Sequence, residues 1–275
     1  MSASKTDSPL PFDRLAWRRH RDRAARQGAV DFLHREAAER LIERLDDVTR
    51  PFPIALDLGT RDGRLLAALA ARPGTERVVA AEPSPAFLAR LPNPEQVLRA
   101  GADPELLSFR AASFDLVVSN LVLHWVGDLP GALVQVRRAL KPGGLFLAAL
   151  LGGRSLIELR SVLIEAELAE EGGASPRVSP AVDLADAAAL LQRAGFASPV
   201  ADGDLLTVTY PDALALMRDL RGMGETNALA SRRRTPLRRA TLLRALALYA
   251  ERFGLPDGRI PASFEMLFLI GWAPR

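Results

Sequence analysis

Three acids and two glycines occupy positions that could do chemistry together: Asp57, Glu82 and Asp103, with Gly59 and Gly63. Asp57 follows the short apolar run Ile54-Ala55-Leu56 and leads into the turn Gly59-Thr60-Arg61-Asp62-Gly63. Glu82 ends a second apolar run, Val78 to Ala81, and Asp103 lies in a later loop. A carboxylate in Glu82's place can accept both hydroxyls of a ribose, and one in Asp103's place can accept from an exocyclic amine. Glycines bracketing the turn remove the Cβ atoms that would keep a ligand from the backbone. The plainer alternative is that these acids are solvated strand ends.

Elements that would bring them together are legible around them. Residues 53–58 read as a buried strand, and Leu65, Leu66, Leu69 and Ala70 recur at helical spacing. Further strands are expected over 77–82, 96–98, 114–120 and 145–151. A helix opens at Pro85 and runs to Leu91, with Ser84 as its N-cap, and another covers 129–140. Strands alternating with helices predict a parallel sheet with right-handed crossovers, whose C-terminal strand ends converge on one crevice. The strand, glycine turn and helix N-terminus form the place where nucleotide-like ligands sit in such sheets.

Residues 1–11 are predicted to be disordered and 12–50 to form an N-terminal helical segment, helical from Phe12 to Leu45. Residues 51–154 are the cofactor-binding core. Residues 155–255 form a helical lid and substrate region with late sheet elements: helices over 155–170, 183–193 (Asp183 as N-cap), 212–220 and 235–253, and a strand over 205–210. Residues 256–275 carry the C-terminal strand, over 263–272.

Composition narrows the function. The chain has 275 residues, 48% of them hydrophobic, enough for a sizeable core. It has no cysteine, which excludes disulfides, thiolate metal sites and cysteine nucleophiles. His20, His34 and His124 have no metal-ligand spacing, so no metal site is read. The formal charge of +3 is small for a nucleic-acid surface, and nucleic acid is not expected as a partner. No apolar run is long enough to span a bilayer. The arginine-rich N-terminus carries acids that presequences avoid, so a bacterial cytoplasmic location is expected.

The acids and the glycine turn together resemble class I S-adenosylmethionine-dependent methyltransferases, as does the turn Arg138-Ala139-Leu140-Lys141-Pro142-Gly143-Gly144. The glycine spacing does not match that of nicotinamide enzymes. The resemblance implies a seven-stranded, mostly parallel, Rossmann-like sheet with helices on both faces and its last strand antiparallel. It also implies an S-adenosyl-L-methionine site built from Asp57, Gly59, Arg61, Gly63, Glu82, Ser84, Asp103 and Asn120. Arg61 departs from the superfamily turn, which has glycine there. Its side chain either crowds the methionine end of the cofactor or reaches its carboxylate.

Further motifs resemble two related families, the malonyl-carrier-protein O-methyltransferases of biotin synthesis and the arginine hydroxylases that act in respiratory complex I assembly. The second likeness is closer. It includes Phe12-Asp13-Arg14, Leu123-His124-Trp125-Val126, Asp128-Leu129-Pro130, Glu158-Leu159-Arg160, Glu171-Gly172-Gly173, Gly222-Met223-Gly224-Glu225 with Asn227, and Ile270-Gly271-Trp272. It implies a protein substrate, the iron–sulfur subunit of complex I, and a hydroxylated arginine as product. Oxidising an unactivated C–H bond normally needs iron, a flavin or a radical. No facial-triad spacing, cysteine cluster or flavin fingerprint is present, so the residues name no oxidant.

His124 is expected to face the methyl end of the cofactor pocket as a base or orienter, with Trp125 as a wall of the substrate pocket. Glu225 and Asn227 lie in a glycine-rich loop, where Glu225 can pair with an incoming guanidinium; loop capping is the alternative. Arg160 with Glu158 forms a candidate substrate clamp, or else a solvated helix face. The arginine run 232–234 reads as a solvated loop. Two rival functions stay open: methyl transfer to a malonyl-carrier carboxylate, and a non-catalytic assembly chaperone. The oligomeric state is not read.

Overall fold

The computed structural model describes residues 11–92 and 94–275. Two helices open the chain, α1 (Arg14–Gln27) and α2 (Phe32–Asp46), where the sequence reads as one. Gly28, at φ 81°, ends the first. Asp13 caps α1 by accepting from the Ala16 N–H at 3.0 Å. Pro11, expected to be disordered, accepts from the Ala230 N–H at 2.9 Å. The rest of that expected segment lies outside the described residues.

The alternating core follows: β1 (Ile54–Leu58), α3 (Arg64–Ala71), β2 (Arg77–Ala81), α4 (Pro85–Leu88), β3 (Val97–Ala100), β4 (Phe114–Asn120), α5 (Leu129–Ala139) and β5 (Leu140–Leu151). Then come α6 (Ile157–Glu171), α7 (Leu184–Arg193), β6 (Ala197–Tyr210), α8 (Ala213–Met223), α9 (Arg239–Phe253) and β7 (Ile260–Trp272). The seven strands form one sheet in the order β3-β2-β1-β4-β5-β7-β6, with β7 antiparallel to both neighbours. The remaining pairings are parallel.

Several boundaries differ from the expected ones, for local reasons. Strand β6 starts at Ala197 rather than Leu205, because its first half is an edge whose side chains, such as the half-exposed Val200, bury too little to show a pattern. Residues 141–144 are a bulge inside β5 rather than a turn before it: Leu140 pairs with Phe114 and Leu145 with Leu116. Helix α4 stops after one turn, at Leu88. Helix α9 begins at Arg239, since Pro236 disfavours a helical conformation in Thr235 before it.

Helices cover both faces, and β5 shows how. Leu145, Leu147, Ala149 and Leu151 pack on one side with residues of α2, α3, α6, α8 and α9. Phe146, Ala148 and Leu150 pack on the other with residues of α5 and α7. The period of two along a strand buried on both faces produces this division. The sheet thereby holds the C-terminal ends of β1, β2 and β4 side by side, under α1, α2 and the loop after α8.

Candidate functional site

Asp57 and Thr60 begin the site. Asp57 is fully buried on β1, where the Thr60 hydroxyl donates to its Oδ2 and Oδ1 has no partner. Burial pushes its carboxyl up to about 7, with the nearby charge of Glu82 adding to the rise. The turn beyond it is as tight as its glycines suggest. At Gly59 (φ 82°) an added Cβ would lie 2.6 Å from Val122, and at Gly63 (φ 81°) 2.9 Å from Leu91. Gly63 also caps α3.

Glu82 is held more completely than the sequence suggests. Its Oε1 accepts from Arg21 Nε (3.0 Å) and the Ser84 N–H (2.9 Å). Its Oε2 accepts from Arg21 Nη2 (2.7 Å) and the Arg61 N–H (2.9 Å). All its acceptor positions are filled, with Arg21 itself only 2% exposed. Ser84 caps α4 as expected, accepting from the Phe87 N–H at 3.3 Å, and its hydroxyl donates to Asp22. Asp103 is likewise engaged, by the guanidinium of Arg14. Both acids are therefore paired with arginines of α1. Beside them an open cleft of about 480 Å³ runs between α1 and the loops after β2 and β3.

At the end of β4, Asn120 donates to the His34 carbonyl at 2.9 Å, while its Oδ1 is buried without a partner. His34 is buried on α2 with both ring nitrogens unpartnered. Burial, then the charge of Arg61, keeps it neutral, well below the usual imidazole range. Arg61 is buried too.

A second pocket, of about 300 Å³, lies beyond β4 and β5. Its walls are largely apolar, including Leu33, Leu159, Leu163, Leu220 and Phe264. Glu225 reaches it from the loop after α8, and its Oε2 accepts from Trp125 Nε1 at 2.8 Å and pairs with His124 Nε2 at 3.1 Å. On the other side of the ring, the Leu151 N–H approaches His124 Nδ1 at 3.5 Å, which assigns the proton to Nε2. Burial raises the Glu225 carboxyl, but His124, with Arg21 and Trp125, outweighs it and holds the group below the usual range. Glu225 is thus an ionised carboxylate in an apolar pocket.

The other expected residues have different occupations. Asn227 lines the pocket, but both ends of its amide fasten the loop: Nδ2 donates to the Pro176 carbonyl (2.7 Å) and Oδ1 accepts from the Leu229 N–H (3.0 Å). Arg160 lines the pocket and donates to the Gly153 and Ser155 carbonyls. Glu158 does not join it in a clamp. It is buried against β7, where Ser263 donates to it from hydroxyl and backbone. Two of the arginines read as a solvated run are paired, Arg232 with Asp13 and Arg233 with Glu171. Arg14, Arg21 and His34 were not expected as site residues; Arg14 stood only in the Phe12-Asp13-Arg14 motif, and Arg21 only among the arginines that crowd the N-terminal helical segment.

A profile described as a methyltransferase domain matches residues 56–148. The arginine hydroxylase NDUFAF5, mitochondrial, of Danio rerio is 42% identical over 96% of this chain and 83% of its own length. The Homo sapiens protein of that name is 41% identical over 95% and 76%. The malonyl-[acyl-carrier protein] O-methyltransferase of Xylella fastidiosa (strain M23) is 36% identical over 96% and 89%. Among solved structures, YcgJ from Bacillus subtilis matches at a TM-score of 0.59 and 14% identity, over 86% of this chain and 99% of that one. Phosphoethanolamine N-methyltransferase 2 of Haemonchus contortus matches at 0.54 and 17%, over 86% and 53%. At these identities the structures share the fold alone. The sequence matches run along nearly the whole chain, and with them the chain belongs to the methyltransferase-fold enzyme family that contains the NDUFAF5 arginine hydroxylases and the malonyl-carrier-protein O-methyltransferases.

Proposed function

We propose that this protein is an S-adenosylmethionine-binding enzyme that takes an arginine side chain of a protein substrate into the pocket beside Glu225, in keeping with its arginine-hydroxylase relatives. The observation that carries this reading is the ionised Glu225, fixed by His124 and Trp125 among apolar walls. An arginine has three methylenes to lay against leucines and a planar cation to set on a carboxylate. Neither of the bonds that fix Glu225 uses Oε1. Trp125 and His124 prevent the carboxylate from turning away, and the apolar walls exclude water that would weaken the pairing. The substrate favoured is the iron–sulfur subunit of complex I, and a cytoplasmic site of action in a bacterium is kept as part of this reading.

The residues at the ends of β1 and β4 fit one end of the cofactor. Asp57 Oδ1 and Asn120 Oδ1 are buried acceptors without donors, which suits an ammonium group. Asp57, Asn120, Gly59 and Gly63 would hold the amino-acid end, and the bound sulfonium compound would supply an electrophilic methyl group. At the ribose end Glu82 accepts hydroxyls only after Arg21 leaves it, so α1 has to shift as the nucleoside enters.

The carrier-protein reading is disfavoured by the same Glu225, since a malonyl carboxylate in that pocket would face a like charge. The pairing of Arg21 with Glu82 and Arg14 with Asp103 favours the third reading, a chaperone that has given up its cofactor. Titration calorimetry with S-adenosylmethionine separates the two: heat of binding supports the enzyme, and none at millimolar ligand supports the chaperone.

For the substrate, calorimetry with an arginine peptide and its citrulline counterpart is the test. The protein is expected to prefer the arginine peptide by about tenfold or more, the scale of a charge-assisted hydrogen bond, and Glu225→Gln to abolish the preference. Equal binding of the two peptides by the unaltered protein would remove Glu225 from substrate recognition.

A further inference from the structure

Among the described residues that line the apolar pocket, Glu225 is the only carboxylate. The two arginines that line it are already engaged, Arg177 by the buried Glu167 and Arg160 by backbone carbonyls. Two other lining residues, Asn227 and Leu237, bracket a stretch of chain that carries Arg232, Arg233 and Arg234, and Arg238 and Arg239 follow directly. Consecutive Cα atoms lie about 3.8 Å apart, so Arg238 and Arg239 leave the backbone within about 8 Å of a wall residue, and Arg234 within about 11 Å.

These five arginines meet two carboxylates. Asp13 takes Arg232 at 2.9 Å, and Glu171 takes Arg233 and, at 3.7 Å, the exposed Arg238. Arg234 and Arg239 are exposed, and no carboxylate among the described residues lies within ion-pair distance of either. The excess of cations continues at Thr226, which also lines the pocket. Arg23 donates to the Thr226 hydroxyl at 2.9 Å, and burial with the nearby charge of Arg221 holds it below the usual guanidinium range.

The pocket thus draws in a cation, while the chain beside it repels one. A bare arginine side chain meets that repulsion before it reaches Glu225. An arginine with acidic neighbours brings charges that cancel it. In an extended segment each residue spans about 3.3–3.6 Å, so acids one to three positions from the arginine lie about 3–11 Å along the chain, the same reach as from Leu237 to the exposed arginines.

We propose that the segment from Arg232 to Arg239 is a docking strip for acidic residues of the protein substrate, one to three positions from the arginine that enters the pocket. This rests on the reading of the pocket as an arginine site and names its substrate class: an arginine in an acidic segment. An arginine among basic residues is turned away by the same strip, so the strip selects as well as attracts.

The test is calorimetry of the full chain with three short peptides: an arginine flanked by aspartates, the same arginine flanked by asparagines, and citrulline flanked by aspartates. At low salt the unaltered protein is expected to bind the first about tenfold more tightly than the second, the sum of several weak exposed pairs, and about 0.5 M salt is expected to erase most of that difference. The triple variant Arg234→Gln, Arg238→Gln, Arg239→Gln is expected to bind the two arginine peptides within about twofold of each other and to keep its preference for arginine over citrulline. Should it lose its cooperative melt, the double variant Arg234→Gln, Arg239→Gln, which breaks no ion pair among the described residues, is read the same way. Equal binding of the two arginine peptides by the unaltered protein, or a variant that keeps the full preference, overturns the strip and leaves the arginine site standing. A preference for aspartates with none for arginine over citrulline overturns the arginine site and leaves the strip. Tighter binding of a malonyl-carrier protein, lost in the variant, assigns the strip to that carrier and overturns the proposal. Absence of heat with every peptide overturns both strip and site.

Discussion

Asp57 shows how far the type of a residue and its position carry. Its place at a strand end beside a glycine turn was legible, because apolar runs and glycines mark such ends. Its ionisation was not, since that depends on burial contributed by the whole sheet. With its carboxyl raised from 3.8 to about 7, the folded protein binds more protons than the unfolded chain between those values. The stabilisation from protonated Asp57 is therefore whole below about pH 4 and is lost as pH rises to about 7, by up to about 1.4 kcal/mol per unit. Urea unfolding at a series of pH values is expected to show the stability of the protein relative to Asp57→Asn falling through that window and level above it. A level difference throughout would mean that Asp57 is ionised with a partner. Glu158 marks the opposite limit. Three residues from Glu158, Ser161 donates back to its carbonyl, but the partner of its carboxylate is Ser263, 105 positions away, and no spacing rule reaches that far.

Helix α1 carries the least legible part of the site. Its arginines were visible as a crowd, but a crowd of arginines on a helix is ordinarily a solvated face. What turns Arg21 inward is docking: Ala24 and Ala25 are fully buried with Phe87 of α4, and the small side chains let α1 lie close enough for a bidentate pair with Glu82. Trp17, 1% exposed, anchors the same face. Breaking this pair leaves a buried carboxylate with two backbone N–H donors but no cation, so Arg21→Ala is expected to destabilise the ligand-free protein by about 3–5 kcal/mol. It also frees Glu82 for ribose hydroxyls. Thermal melts are expected to show a lower transition without ligand and a larger upward shift with S-adenosylmethionine than in the unaltered protein. An equal or smaller shift would mean that Arg21 does not compete with the nucleoside. The core elements, by contrast, were legible because β1, β2, β4 and β5 are buried on both faces and therefore read as near-continuous apolar runs.

The molecule as a whole carries two cavities at the C-terminal side of its sheet, one by the loops after β2 and β3 and one beyond β4 and β5. One is the cleft beside Asp103 under α1, and the other is the apolar pocket closed by α6, α8 and the loop that carries Glu225. Arg61 ties the turn after β1 to the end of α8, donating to the Met223 carbonyl two residues before Glu225. The sheet and its antiparallel last strand followed from the alternation of elements and from resemblance. The pocket did not, because its walls come from segments far apart in the chain, Leu33, Leu159, Leu220 and Phe264 among them. If this pocket receives an arginine of a protein, the modification must depend on its one buried carboxylate. Mass spectrometry of the iron–sulfur subunit of complex I, from cells carrying the native gene, no gene, or Glu225→Gln, examines that dependence. The account predicts one arginine bearing an added oxygen with the native gene and the same arginine unmodified in the other two strains. An arginine modified equally in all three, or unmodified in all three despite assembled complex I, would contradict it.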